Sequence, residues 1–188
     1  RVSYSNSTCS VKSTPNFSQP SATVPPLPIA LALYQPDIAL NTGTLLRLGA
    51  CLDVPVHIIH PTGFPFSRAA LKRSGMDYLD TVEMTEHDSY AQFDRWRREA
   101  GKRLVLLTTR ASMPAHEVDY ESDDILMVGR ESAGMPPEVA DSAQLRVRIP
   151  MQPAARSLNV AVSAAIVLVE ALRQTGGFGR LAGAPAAG

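Results

Sequence analysis

The sequence predicts one α/β domain built on a mainly parallel sheet of six strands, flanked by helices. Apolar runs alternate with helical patterns from Ile29 to Arg173, which is the element order that produces a parallel sheet. The runs are mostly continuous rather than alternating, as expected for strands that are covered on both faces. Hydrophobic residues make up 45% of the 188 residues, so the chain can bury a substantial core and does not have a disordered composition.

Six segments have the composition of strands, and the last one has two distinct faces. In that segment Leu145, Val147 and Ile149 alternate with two arginines, so one face is apolar and the other is charged. The third segment is the weakest of the six. The predicted strands are Ile29–Tyr34, Pro55–His60, Tyr78–Val82, Arg103–Thr109, Ile125–Val128 and Leu145–Ile149.

Helices are predicted between these strands by capping residues and by the helical spacing of apolar residues. The last helix, from about Leu158 to Arg173, is apolar nearly all round, so we expect it to be buried in protein. It is too short and too often interrupted by polar residues to be a membrane span. The predicted helix starts are Asn41, Ser67, Asp88 and Leu158, with a short helix near Pro137.

The two ends of the chain differ in composition from the middle. Residues 1–28 are rich in Ser, Thr, Asn and Pro and have no sustained apolar period. We expect them to be a disordered tail or vector-derived residues. The domain is placed at residues 29–176, and residues 177–188 are expected to be a flexible C-terminal tail.

The charge and the cysteines restrict the class of protein. The formal net charge is +0, so any nucleic acid must be bound by local basic patches rather than by bulk charge. Four short basic clusters, around Arg68, Arg95, Lys102 and Arg146, are candidates, although each is also typical of a solvated face. Cys9 and Cys51 have no metal or redox spacing, which indicates a reducing, cytoplasmic compartment.

Two loops that follow predicted strands suit ligand binding. One holds Gly129, Glu131 and Gly134, and the other holds Ser157 and Asn159. Open α/β sheets bind ligands at the carboxyl ends of their strands. Taken singly, each residue also has a structural explanation, as a turn glycine, an acid at a helix start or a helix cap. The glycines match neither the dinucleotide fingerprint nor the P-loop.

Three ordered motifs together resemble those of the SPOUT RNA methyltransferases, in the SpoU/TrmH branch. Within that branch the chain is most similar to the TrmL (YibK-like) tRNA 2′-O-methyltransferases, from about Ile29 to Phe178. The motifs are Asn41-Thr42-Gly43-x-x-x-Arg47, Gly129-Arg130-Glu131-x-x-Gly134-Met135-Pro136, and Ile149-Pro150-Met151 followed by Arg156-Ser157-Leu158-Asn159.

This resemblance implies a SPOUT fold with a deep trefoil knot at its C-terminal end, and a homodimer with the active site near the interface. It implies that S-adenosylmethionine binds in the knot, mostly through backbone groups, and leaves as S-adenosylhomocysteine. It implies no metal and no membrane. The positions that match the cofactor-binding residues are Leu107, Thr108, Gly129, Ile149, Met151, Ser157 and Leu158.

The reaction that the resemblance implies is methyl transfer to a ribose 2′-hydroxyl in the tRNA anticodon stem-loop. The target is the wobble nucleotide, C or U at position 34, of leucine tRNAs. Arg47 is implied at that hydroxyl. A guanidinium stays protonated in proteins and is a poor base, so we favour a role in holding the RNA phosphate or stabilising the forming alkoxide. The implied neighbours of Arg47 are Asn41, Glu131, Ser157 and Asn159.

Three other functions stay open beside this one. A 2′-O-methyltransferase for another tRNA or rRNA site would carry the same motifs. A non-catalytic RNA-binding protein that retains the knot is disfavoured by the intact Arg47, Glu131, Ser157 and Asn159. A Rossmann-type nucleotide-binding protein is disfavoured by the missing glycine fingerprint.

Overall fold

The structure is a computed structural model that describes residues 29–67 and 80–181. The strands are β1 (Ala30–Tyr34), β2 (Val56–Ile59), β3 (Met84–His87), β4 (Leu104–Leu107), β5 (Met113–Pro114), β6 (Ile125–Val128) and β7 (Leu145–Arg148). The helices are α1 (Ala39–Leu52), α2 (Tyr90–Glu99), α3 (Pro137–Asp141) and α4 (Val160–Gln174). Short 3-10 helices span Ala115–Glu117 and Gly177–Arg180.

The described residues form a seven-stranded sheet in the order β3-β2-β1-β6-β4-β7-β5. Each strand pair in it is parallel, so the predicted α/β class with a mainly parallel sheet is confirmed. The strand order reverses between β1 and β6, which are neighbours although Leu31 and its register partner Leu126 are far apart in sequence. Loops that follow strands on the two sides of such a reversal open a crevice between them.

The core lies on both faces of this sheet. Leu31, Leu33 and Leu126 belong to the cluster beneath α1 and α4. Ala32 and Met127 belong to the cluster on the opposite face, beneath α2. Neighbouring residues of a strand point to opposite faces, so a strand covered on both faces needs apolar residues at every position. This explains the continuous apolar runs of β1 and β6.

The predicted number of strands and the position of the third strand are wrong. The chain has a seventh strand, β5, in which Met113 pairs with Val147, and its two residues offer no apolar run that could predict it. The third strand is β3, whereas residues 80–82 of the predicted Tyr78–Val82 segment lie outside any strand. β3 is an edge strand with two exposed residues, Thr85 and Glu86, so it lacks the apolar signal of the central strands.

Two of the predicted helix caps are displaced, and one is confirmed. The N-cap of α1 is Ile38 rather than Asn41; Asn41 lies within the first turn, and its amide bonds to Glu131. The N-cap of α2 is Ser89, not Asp88, and its side chain accepts the N–H of Gln92. Asn159 caps α4, as one of the alternatives for this residue predicted. The basic helix predicted after Ser67 lies almost wholly outside the described residues.

Helix α4 has one buried face and one exposed face. Ala161, Ala164 and Ala171 are buried, and small residues allow this face to approach the core closely. Val162, Ile166 and Val169 are each nearly half exposed, at 47%, 46% and 46%. The expectation that α4 is buried all round is therefore not met within a single chain.

The structure bears on the predicted C-terminal tail but leaves the predicted knot untested. The predicted tail of residues 177–188 begins with the 3-10 helix Gly177–Arg180, so regular structure continues beyond residue 176. Residues 1–28 and 182–188 lie outside the described residues, and the trefoil knot stays a prediction. Within the described parts of the chain, no helix has the length and apolar character that crossing a membrane requires.

Candidate functional site

A cavity of about 430 Å³ lies at the carboxyl ends of the central strands, beside the start of α4. It gathers the residues that the motifs singled out, although these come from distant parts of the sequence. Parallel strands end at one edge of a sheet, so the loops that follow them meet there. The cavity lining includes each predicted cofactor-binding residue, Leu107, Thr108, Gly129, Ile149, Met151, Ser157 and Leu158, and four of the predicted catalytic residues, Asn41, Glu131, Ser157 and Asn159.

Three of these residues form one chain of hydrogen bonds. The Nδ2 of Asn41 donates to Oε1 of Glu131 at 3.1 Å. The Nδ2 of Asn159 donates to Oδ1 of Asn41 at 3.0 Å. Because the Oδ1 of Asn159 also accepts the N–H groups of Ala161 and Val162, the chain runs from the Glu131 carboxyl to the first turn of α4. These contacts join the three sequence motifs at one wall of the cavity.

Asp37 extends this chain and was missed as a site residue in the sequence. Its carboxylate accepts the N–H of Glu131 at 3.1 Å and the N–H of Ser132 at 3.2 Å, and also bonds the Ser132 hydroxyl. In return, its own N–H donates to Oε2 of Glu131 at 3.5 Å. The only available signal was a carboxylate in the loop directly after a buried strand. Asp37 thus holds the β6 loop against the β1 loop.

The two carboxyl groups influence each other's protonation. The hydrogen bond to Glu131, followed by those to Ser132, lowers the pKa of Asp37 to about 2. Burial raises the pKa of Glu131, and the contact with Asp37 raises it further. When two neighbouring carboxyl groups cannot both ionise freely, the pKa of one falls and the pKa of the other rises. Asp37 is therefore the anionic member of the pair, and Glu131 holds a proton more readily than an isolated glutamate.

The glycines of the first loop have a steric purpose. A Cβ at Gly129 would lie 3.3 Å from the backbone carbon of Gly134, which is tighter than ordinary contact. Gly134 has φ +67°, in the left-handed region, and its N–H donates to the carbonyl of Arg130 at 2.9 Å. The turn explanation of these glycines is confirmed, and the same turn forms one wall of the cavity.

Arg47 is the one predicted catalytic residue that the structure does not bring to the cavity. It lies on the exposed face of α1 and is not among the residues that line the cavity. Leu40, which lies on the same face of α1 two turns earlier, is 79% exposed. The other four predicted catalytic residues and Arg47 therefore do not converge within one copy of the chain.

Several residues of the predicted basic clusters have structural partners. Arg97 is buried and ion-paired with Asp94 at 2.6 Å. Arg98 pairs with the same carboxylate at 2.8 Å, and Arg146 pairs with Asp141 at 2.8 Å. These pairs leave less free positive charge for RNA than the sequence suggested. The cluster around Arg68 lies outside the described residues.

Arg103 of the remaining cluster anchors the opposite end of the sheet. It bonds Asp124 at 2.6 Å and Glu121 at 2.6 Å. With Asp123, these two carboxylates form a trio whose oxygens lie close enough for a cation. Because Arg103 already neutralises two members, the trio has a structural explanation, and it does not line the cavity.

Comparisons with known proteins agree on a family. The sequence model of the SpoU rRNA Methylase family matches residues 28–169. The chain is 55% identical over 157 residues to the tRNA (cytidine(34)-2'-O)-methyltransferase of Beijerinckia indica, covering 84% of this chain and 98% of that protein. It is 40% identical over 149 residues to the Escherichia coli K12 protein of the same name, covering 78% and 93%.

Solved structures show the same similarity. One, from work on structural insights into the 2-OH methylation of C/U34 on tRNA, superposes with a TM-score of 0.71 at 39% identity, covering 79% of this chain and 97% of that chain. Another is an AdoMet-bound rRNA methyltransferase from Sinorhizobium meliloti, with a TM-score of 0.70 at 30% identity, covering 78% of this chain and 56% of that one.

Proposed function

The chain belongs to the SpoU rRNA methylase family, and we propose that it transfers a methyl group from S-adenosylmethionine to a ribose 2′-hydroxyl of tRNA. The target is the wobble nucleotide, C or U at position 34: the names of the relatives give cytidine 34, and the work on the similar solved structure gives C/U34. Leucine tRNAs are the proposed substrates, and the cytoplasm is the proposed location. The observation that carries this proposal is the single cavity that unites the donor-binding positions with Asn41, Glu131 and Asn159.

The volume and lining of the cavity suit S-adenosylmethionine as the methyl donor. Its volume of about 430 Å³ lies within the range of small-molecule sites. Gly129 and Gly134 line the cavity without side chains, which supports close approach of a ligand to the backbone of this loop. Leu107, Ile149 and Met151 would hold the donor, which supplies a methyl group on a positively charged sulfur.

The described residues contribute positioning. Methyl transfer needs the hydroxyl oxygen, the methyl carbon and the sulfur in line, and such alignment can supply much of the rate enhancement. Asn159 and Asn41 hold the Glu131 carboxyl in one place by hydrogen bonds of 3.0 and 3.1 Å. Asp37 fixes the backbone of the same loop. This arrangement supports a rigid wall next to the reacting groups.

We further propose that the chain works as a homodimer through α4 and the exposed face of α1. The exposed apolar side chains of α4, together with Leu158 at 40% exposure, form a stripe of the kind that protein interfaces cover. Arg47 lies on α1, which packs against α4. A dimer through this face would let Arg47 of one protomer serve the cavity of the other, where it holds the RNA phosphate or stabilises the forming alkoxide.

The activity is tested by incubating the protein with labelled S-adenosylmethionine and total tRNA, and then mapping the labelled ribose. We expect label on the 2′-oxygen of nucleotide 34 in leucine tRNAs. Transfer to ribosomal RNA and to no tRNA would favour the second candidate, an rRNA 2′-O-methyltransferase, which the similarity to the Sinorhizobium meliloti enzyme supports.

The role of Arg47 is tested by combining two inactive variants in one mixed dimer. Arg47→Ala should abolish methyl transfer and leave S-adenosylhomocysteine binding unchanged. Gly129→Val should impair donor binding by distorting the loop that lines the cavity, because the added side chain presses against the Gly134 backbone. Co-expressed as differently tagged chains, the two variants should recover activity in the mixed dimer, where one protomer has an intact cavity and its partner an intact Arg47. No recovery would contradict a role for Arg47 across the interface.

A further inference from the structure

Arg130 occupies a fixed position at the carboxyl end of β6. Its carbonyl accepts the N–H of Gly134 at 2.9 Å, and the two residues form an antiparallel bridge. This tight turn fixes the backbone from which the arginine side chain leaves the strand. Arg130 is one of the residues that line the cavity described above.

The guanidinium of Arg130 is held by an aromatic ring rather than by a carboxylate. Its Cζ lies 5.9 Å from the ring centroid of Tyr34, within the range of cation–π contact. Tyr34 is buried, and Tyr90 contacts it edge-on with a centroid separation of 5.8 Å. The ring therefore forms a rigid surface beneath the positive charge.

Among the described residues, the side chain of Arg130 lacks the carboxylate partners that Arg97, Arg98 and Arg103 have. The Nε of Arg130 is buried without a hydrogen-bond partner, and within residues 29–67 and 80–181 no carboxylate lies at ion-pair distance from its guanidinium. The neighbouring carboxyls of Asp37 and Glu131 are engaged with backbone N–H groups, with Asn41 or with each other. A buried, unpaired donor is costly, and a guanidinium fork matches the oxygens of a phosphate or a carboxylate.

We propose that Arg130 is an oxyanion-binding residue of this cavity, with its guanidinium paired to an anionic group of a bound reactant. The inference rests on the proposed function, which supplies two such groups: the RNA phosphate next to the target ribose and the carboxylate of the methyl donor. Both present the same chemistry to Arg130, and they are separated by measuring the binding of each reactant.

The test compares the wild type with Arg130→Gln, Arg130→Lys and the control Arg98→Gln. Arg98 is an exposed arginine of α2 that pairs with Asp94 and does not line the cavity, so its replacement should change neither reactant's binding. S-adenosylhomocysteine binding is measured by calorimetry, and binding of an anticodon stem-loop RNA by fluorescence anisotropy over a range of salt. Circular dichroism and the thermal midpoint establish that each variant is folded.

We expect Arg130→Gln to weaken the binding of one reactant by about tenfold or more, as the loss of a charge-assisted pair predicts. Arg130→Lys should recover part of the lost affinity. Weaker RNA binding, with a plot of log K against log salt shallower by about 0.7, identifies a phosphate. Weaker S-adenosylhomocysteine binding with unchanged RNA binding identifies the donor carboxylate.

Unchanged binding of both reactants by Arg130→Gln would overturn the inference, as would an equal loss in Arg98→Gln. A lower kcat with both binding constants unchanged would overturn it too. The two binding measurements do not depend on turnover. If the wild type methylates no tRNA, the proposed function fails, whereas the binding comparison still decides the role of Arg130.

Discussion

The buried histidine pair of β2 and β3 should make the domain labile in mild acid. The Nδ1 of His57 and the Nε2 of His87 lie 3.0 Å apart, and the two residues are only 5% and 4% exposed. Trp96 of α2 packs against both rings. Such a pair needs one ring nitrogen to donate and the other to accept, so the folded state favours two neutral rings.

The direction of the effect follows from the pKa values. Burial, followed by the charges of His87 and Lys102, lowers the pKa of His57 from 6.5 to about 3. Burial also lowers the pKa of His87, which Asp88 partly opposes. Well above pH 6.5 both histidines are neutral in the folded and in the unfolded state, so their protonation does not affect stability. Below pH 6.5, His57 of the unfolded chain binds a proton, whereas buried His57 of the folded chain stays neutral. The free energy of unfolding therefore falls as the pH drops from about 6.5 towards 3.

The expected loss is about 1.4 kcal/mol per pH unit for one group, or roughly 2 kcal/mol from His57 alone between pH 6.5 and pH 5. His87 adds to the loss in the same direction. Urea unfolding measures it, with the fluorescence of Trp96, the single tryptophan of the chain, as the signal. The experiment is run at several pH values from 7.5 to 5 and extrapolated linearly to water.

A double variant provides the comparison. His57→Phe with His87→Phe removes both titrating groups together, which avoids leaving one buried nitrogen unpaired. We expect this variant to lose much less stability than the wild type between pH 6.5 and 5. His116→Gln is the control, because the His116 side chain is 64% exposed. Equal acid losses in the wild type and the double variant would refute the reasoning.

Substitutions at Asp37, Asn159 and Gly49 test the site and the packing. Asp37→Ala should lower the free energy of unfolding by about 1–3 kcal/mol, because it removes the hydrogen bonds to the β6 loop, and should weaken S-adenosylhomocysteine binding in calorimetry. Asn159→Ala should cost about 1–2 kcal/mol in urea unfolding through the lost helix cap, whereas Asn159→Asp should retain the cap and lose only the donor. Gly49→Ala should destabilise by about 1–3 kcal/mol, because its Cβ would lie 2.5 Å from Val56 Cγ2, and Gly179→Ala, with no atom within 4 Å, should not. Unchanged unfolding curves for Asp37→Ala, Asn159→Ala or Gly49→Ala would contradict the corresponding contact.

Much of the candidate site could be predicted because it is built from the ends of parallel strands. The loops after β6 and β7 follow parallel strands and therefore meet at one edge, whereas Leu107 and Thr108 at the end of β4 were implied only by the family resemblance. Asp37 could not be predicted, because its partners Glu131 and Ser132 follow more than ninety residues later. The exposed position of Arg47 is what the helical spacing of the leucines in α1 favours, whereas its absence from the cavity lining depends on how α1 packs and could not be predicted.

By itself, the sequence determined the α/β class and the central strands β1, β2, β4 and β6. Continuous apolar runs identify strands buried on both faces wherever they lie in the chain. Only the tertiary structure decided the two-residue β5, the edge strand β3 and the start of α1, where Asn41 bonds Glu131 instead of capping the helix. The physical reason is the distance along the sequence over which each feature is decided. Whether a segment is buried follows largely from its own composition, whereas a strand pairing or a hydrogen bond depends on partners from distant parts of the chain.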